Sequence, residues 1–163
     1  MMLAGFLPID VVLGVIAYWL LLALAGLLLQ NNGRSIARLV FPAGAAGAVV
    51  LAVTALLALG AEPNTSVLPL GMPDLPFHLR LDALSAFFLL ILGAASFGIS
   101  LYAAGYFRDM PGPQLGLLVF EYHVFLAAMA LVLLADDAYM FMVAWETMAI
   151  SSYFLVTTDH KVP

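Results

Sequence analysis

From Val11 to Gly33 the chain carries no charged side chain, and the same holds from Leu39 to Ala61 and from Ala83 to Phe107. Two further runs, Leu115 to Ala135 and Ala138 to Thr158, are nearly as apolar, interrupted only by Glu121 and His123 in one and Glu146 in the other. A run of about 20 residues, at about 1.5 Å of rise each, crosses the roughly 30 Å hydrocarbon core of a bilayer. Inside lipid such a run satisfies its own backbone as a helix. The expected fold class is therefore an all-α polytopic membrane protein with five transmembrane helices. A mean hydropathy of +1.11 agrees and excludes a soluble domain of ordinary composition.

Net charge is −5 and the five cationic residues are scattered, which excludes a basic nucleic-acid surface. With no cysteine, disulfides, iron–sulfur ligation and thiolate metal sites are excluded on this chain, so any redox centre belongs to a partner. The opening stretch lacks the basic n-region of a secretory signal, and the uncharged run from Val11 exceeds a signal's apolar core. A retained spanning helix is expected there.

The first segment runs from Pro8 to Leu29 and stops at Gln30-Asn31-Asn32-Gly33, before a basic loop of Arg34 and Arg38. The second, Leu39 to Ala61, contains FPAGAAGAVVLA, where Gly44 and Gly47 make one side thin enough for close helix approach. From Glu62 to Asp82 prolines and Gly71 flank the alternation Phe77-His78-Leu79-Arg80-Leu81-Asp82, which predicts a short β-hairpin-like outer loop between helices 2 and 3. His78 and Arg80 are expected as solvated positions on it, with a metal or proton-relay role for His78 as the alternative. The third segment spans Ala83 to Phe107, where Ser85, Ser96 and Ser100 can bond to carbonyls one turn back. Arg108 to Pro113 reads as a turn, Leu115 to Ala135 as the fourth segment and Ala138 to Thr158 as the fifth, the last two joined so briefly that they form a helical hairpin. With the N-terminus outside, inner loops hold Arg34, Arg38, Arg108 and Lys161, and outer loops hold Arg80 and most of the acids. The positive-inside rule then places the C-terminus in the cytoplasm.

Glu146 is the sharpest functional candidate. It lies roughly 14 Å from the polar boundary before it and 20 Å from the one after, too deep for a carboxylate to reach water. Holding it there costs about 2.5–3.5 kcal/mol or more, so such a residue faces a protein interior or a water-filled cavity. A carboxyl group in low dielectric, with a movable cation nearby, can load and release a proton near neutral pH. Its helical neighbours Met142, Val143, Ala149 and Ile150 are apolar, so the cation must come from another helix. The alternative is a neutral, hydrogen-bonded glutamic acid that serves packing. His123 is expected opposite Ile150, within a turn of the level of Glu146, as a connection to the inner side or as a histidine satisfied by a local acceptor. Glu121, nearer the inner interface and within reach of Arg108, is a candidate for proton entry. Tyr153, with Ser151 and Ser152, supplies hydroxyls that could hold water. No phosphate loop, nucleophile–base pair or spaced metal-ligand set occurs, so catalytic, cofactor-binding and metal residues are all expected to be none.

The stretches LRLDALSAFFLLILGAASFGISLYAAGYF and LVLLADDAYMFMVAWETMAISSYFLVTTDHKVP resemble the antiporter-like membrane subunits of respiratory complex I, Mrp-type antiporters and membrane-bound hydrogenases. The ending SYFLVTTDHKVP is similar to the hydrogenase-4 and formate-hydrogenlyase branch. The resemblance covers Leu79 to Pro163 and is most specific at Trp145-Glu146 followed by Ser151-Ser152-Tyr153; the first two segments match in hydropathy and order alone. It implies that Glu146 occupies the place of the family's essential proton-path glutamate, with a strand hairpin and an N-terminus on the outer face. It further implies nickel–iron and iron–sulfur centres or a flavin on partner subunits, and a bacterial inner-membrane location. Residues 1–114 would then hold helices 1–3 with the outer loop 62–82, and 115–163 would hold helices 4–5 and open the first of two inverted repeats. The family's partner lysine on helix seven and its central channel lysine have no counterpart here, the only lysine being Lys161. A truncated product, a fragment, or one piece of a split subunit completed by another polypeptide is the expectation. The alternatives are a membrane scaffold that moves nothing and a subunit lining a quinone site.

Overall fold

The computed structural model describes residues 7–72 and 74–157; Pro73, Thr158, Asp159, His160 and Lys161 lie outside the described residues. Five helices are long and apolar enough to cross a membrane: α1 (Pro8–Leu28), α2 (Gly33–Ala58), α3 (Ala83–Tyr106), α4 (Gly112–Leu134) and α5 (Ala138–Thr157). A two-stranded antiparallel sheet of β1 (Asn64–Met72) and β2 (Leu75–Leu81) lies between α2 and α3.

The start of each helix follows from local chemistry. Asp10 accepts the Leu7 N–H at 3.1 Å, and Pro8 stands in a first turn that needs no donor from it. Asn32 caps α2 by accepting the Ser35 N–H at 3.3 Å. That cap places Arg34 and Arg38 in the opening turns of α2, not in the expected loop. A π-type stretch, Ile36–Val40, makes the extension possible, because Pro42 lacks an N–H and its ring crowds the Arg38 carbonyl, which a wider turn relieves. Pro113 is likewise absorbed in a first turn, so α4 begins at Gly112, earlier than the expected Leu115.

The hairpin has the alternation expected of it. Leu79 and Leu81 are buried while His78 and Arg80 point to solvent, with Thr65 opposite Arg80 and Val67 opposite His78. Register shifts between Leu68 and Gly71, and Gly71 takes φ +112°, a conformation that favours glycine.

In the bundle α1 packs on α4 and α2, α2 packs along α3, and α4 also carries α5. The α1–α4 crossing is glycine-lined: a Cβ at Gly26 would stand 2.6 Å from Val119 Cγ1, and one at Gly116 would stand 2.8 Å from the Gly26 carbonyl. Trp19, Phe41, Leu51, Leu89 and Leu115 fill the interior. α4 is the most buried of the five helices and α5 the least. α5 leans on α4 and, at its first turn, on β2. The hairpin and the link Ala135–Asp137 share one face of the bundle; the α1–α2 and α3–α4 links meet on the other, where a Cβ at Gly33 would be 3.1 Å from the Met110 carbonyl.

Candidate functional site

The middle of α4 presents Glu121, Tyr122 and His123 in succession. At about 100° per residue they project in three directions, and all three are buried. Tyr122 faces α3, where its hydroxyl lies 2.9 Å from Ser100 Oγ and donates toward the Ser96 carbonyl at 3.3 Å. Ser96 itself donates to the Leu92 carbonyl at 2.7 Å, the local bond expected of it. Ser100 departs from that expectation by bonding across to α4. Tyr122 is not singled out among the sequence candidates; its one signal there is a hydroxyl between two ionisable neighbours on an apolar helix.

His123 is fully buried and faces α2, not α5. Its Nδ1–H donates to the Val119 carbonyl at 2.9 Å, which fixes the tautomer and leaves Nε2 as an acceptor with no hydrogen-bond partner among the described residues. The ring fits because position 44 is glycine: a Cβ there would stand 2.6 Å from Nε2. The Trp19 indole N–H donates to the Gly44 carbonyl at 3.3 Å, so the thin side of α2 receives rings from both α1 and α4. His123 is thus separated from Glu146 by the body of α4.

Glu121 lines an open cleft of about 440 Å³ between α4 and α5, with Thr147, Ile150, Ser151 and Phe154 from the facing helix. Ser151 donates to the Thr147 carbonyl at 2.8 Å and Thr147 to the Val143 carbonyl at 2.8 Å, which leaves their oxygens available as acceptors. Arg108 is exposed in the turn after α3, while Glu121 stands nine residues into α4, roughly 14 Å along its axis.

On α5 the side packed against α4 carries Met140, Ala144 and Ser151. Glu146 lies about 200° around the helix from Ala144, and Tyr153 about 180°; both are exposed on the outward side, with Met142 and Ala149. The carboxylate makes no hydrogen bond or ion pair with any described residue. The fold therefore brings Glu146 and Tyr153 onto one face, puts Glu121 with Ser151 in the cleft, and keeps His123 apart. Along α5, Ser151 and Glu146 are five residues, roughly 7 Å, from one another.

Above this site the hairpin clasps the α4–α5 link. Asp136 N–H donates to the His78 carbonyl at 3.0 Å, and Leu79 bridges Ala135. Asp137 accepts the Met140 N–H at 2.7 Å and the His78 N–H at 3.0 Å, with His78 Nδ1 at 3.4 Å. The Met140 N–H first, and the His78 N–H after it, hold the Asp137 carboxyl below the ordinary carboxylate range. At the start of α3, Asp82 is held low in the same way, first by the Ser85 N–H and then by Arg80, whose guanidinium is 3.2 Å away. His78 thus has a carboxylate beside it, and no group of three or more metal-ligating side chains occurs among the described residues.

No protein-family model matches the chain. It is 38% identical over 78 residues, 48% of its length, to hydrogenase-4 component B of Escherichia coli (strain K12). It is 32% identical over 90 residues, 55% of its length, to NADH-quinone oxidoreductase subunit L of Mycobacterium tuberculosis (strain ATCC 25618 / H37Rv), and 30% identical over 96 residues, 58% of its length, to subunit L of Escherichia coli (strain K12). The matches span 12% of the first relative and 14% and 15% of the others. These relatives are parts of multi-subunit membrane oxidoreductases, and five spanning helices make this chain a multi-pass membrane protein. Over about half of its length the chain is thus similar to antiporter-like membrane subunits of the complex I and hydrogenase kind.

Proposed function

We propose that the chain forms the N-terminal part of a proton-translocating subunit in a hydrogenase-4-type or complex-I-like assembly, with Glu146 as a proton-bearing group. One observation carries the reading: a carboxyl group midway along a spanning helix lies on the side turned away from its own bundle. Exposed to lipid it would be costly, and that cost favours an arrangement in which further helices cover the outward side of α5 and supply a cation or water. The partner is a membrane polypeptide carrying those helices, and electrons travel through nickel–iron and iron–sulfur or flavin centres on other subunits. Tyr153, two turns further along the same side, adds a hydroxyl that can hold water there, while Glu121 in the cleft offers a second proton-binding group toward the inner side. α4 and α5 would open the first antiporter-like repeat, with the hairpin face outward in a bacterial inner membrane. Replacing Glu146→Gln in the full assembly tests this, because glutamine keeps the size and hydrogen bonding but cannot carry the proton. Proton pumping should fall sharply with assembly intact; undiminished pumping would favour a scaffold that moves nothing.

A further inference from the structure

α5 is the helix whose orientation matters most to the proposed function and the one least held by packing. Its first turn, however, is bound to the hairpin from several directions. Both oxygens of Asp137 are used: Oδ1 takes the Met140 N–H of α5 at 2.7 Å, and Oδ2 takes the His78 N–H of β2 at 3.0 Å. The chain direction is fixed alongside by the Asp136 N–H on the His78 carbonyl at 3.0 Å and the Leu79–Ala135 bridge. Phe77 packs against Tyr139 with ring centroids 5.6 Å apart, and Arg80 Nη1 lies 3.7 Å from Asp136 Oδ1. A single carboxylate joining two elements through two backbone donors restrains both distance and rotation, since each N–H has one direction of approach.

We propose that Asp137 is a positioning residue that makes the hairpin and the first turn of α5 one unit, and so sets the rotation at which α5 presents Glu146. The functional half of this statement rests on the reading of Glu146 given above; the mechanical half does not. Movement of the hairpin by anything bound at that face would then turn α5.

The test uses the full chain in detergent, where the absence of cysteine lets a single introduced thiol report alone. Ala144 is buried against α4 and Ala149 is exposed, so Ala149→Cys should react with a maleimide much faster than Ala144→Cys. Adding Asp137→Ala should bring the two rates together by about tenfold or more and raise hydrogen exchange at both the His78 and Met140 amides. Asp137→Asn is the second variant: its carbonyl oxygen can still cap Met140, but its amide nitrogen cannot accept from His78. Exchange should rise at His78 and stay low at Met140, whereas Glu62→Ala, on the same face but outside the clasp, should leave the rate ratio unchanged. An unchanged rate ratio in folded Asp137→Ala protein, or equal exchange gains at both amides in Asp137→Asn, would overturn the proposal. Proton pumping by the assembled Asp137→Ala complex separates the two claims. A shifted rate ratio with full pumping sinks the role of Glu146 and keeps the positioning; lost pumping with an unshifted ratio sinks the positioning.

Discussion

Gly44 shows how one missing methyl group sets a packing arrangement. Its neighbour across the helix crossing is a ring pinned by its own bond to the Val119 carbonyl, so the 2.6 Å gap to Nε2 cannot open without breaking that bond or moving a helix. Overpacking of this kind costs about 1–3 kcal/mol, against the roughly 1 kcal/mol that alanine gains over glycine inside a helix. Gly44→Ala should therefore lower the thermal unfolding midpoint, and the loss should disappear in a His123→Ala background, where the ring is gone. An additive double-variant cycle would count against this contact. The glycine stripe was legible as a thin surface, but what it receives was not. For His123 the sequence leaves two readings, a connection to Glu146 or a ring satisfied by a serine or carbonyl; the Val119 carbonyl fits the second, and nothing in an apolar sequence says which way a histidine points.

The elements differ in how far their residues announce them. The hairpin was readable because it lies in water, where inward Leu79 and Leu81 alternate with solvated His78 and Arg80. The helices were readable as lengths and not as faces. Lipid is as apolar as a leucine core, so the two sides of α5 carry mostly the same kinds of residue, and it is the packing on α4 that separates Ala144 from Glu146. The start of α4 was misread because Pro113 was counted with the turn, whereas a first turn absorbs it; at Pro42 the helix runs on through, relieved by the π-type stretch before it. The carboxylate clasp brings a prediction at this scale. Because the folded Asp137 carboxyl lies below its ordinary range, its contribution is fully present above about pH 4 and is lost as pH falls through the lowered folded value. Protection factors for the His78 and Met140 amides, corrected for intrinsic exchange, should hold from neutral pH down to that range and collapse below it. Loss of protection on raising the pH through neutrality would contradict the assignment.

Across the whole molecule the two faces differ in charge. Glu62, Asp74, Asp82, Asp136 and Asp137 gather at the hairpin face with Arg80, while Arg34, Arg38 and Arg108 lie at the other with Asp109. By the positive-inside rule the hairpin face is expected to be external. In intact cells a membrane-impermeant maleimide should label Thr65→Cys and spare Asp109→Cys until the membrane is opened; the reverse pattern would invert the topology. In the five-helix bundle α5 lies at the edge, with its carboxyl group turned outward. The central claim is that this group carries protons once other helices cover it. Proton uptake by vesicles holding the complete assembly, measured for the native chain and for Glu146→Gln at matched electron-transfer rates, tests it most directly: the account predicts at least a tenfold loss of pumping in the variant, and equal pumping by the two would contradict it.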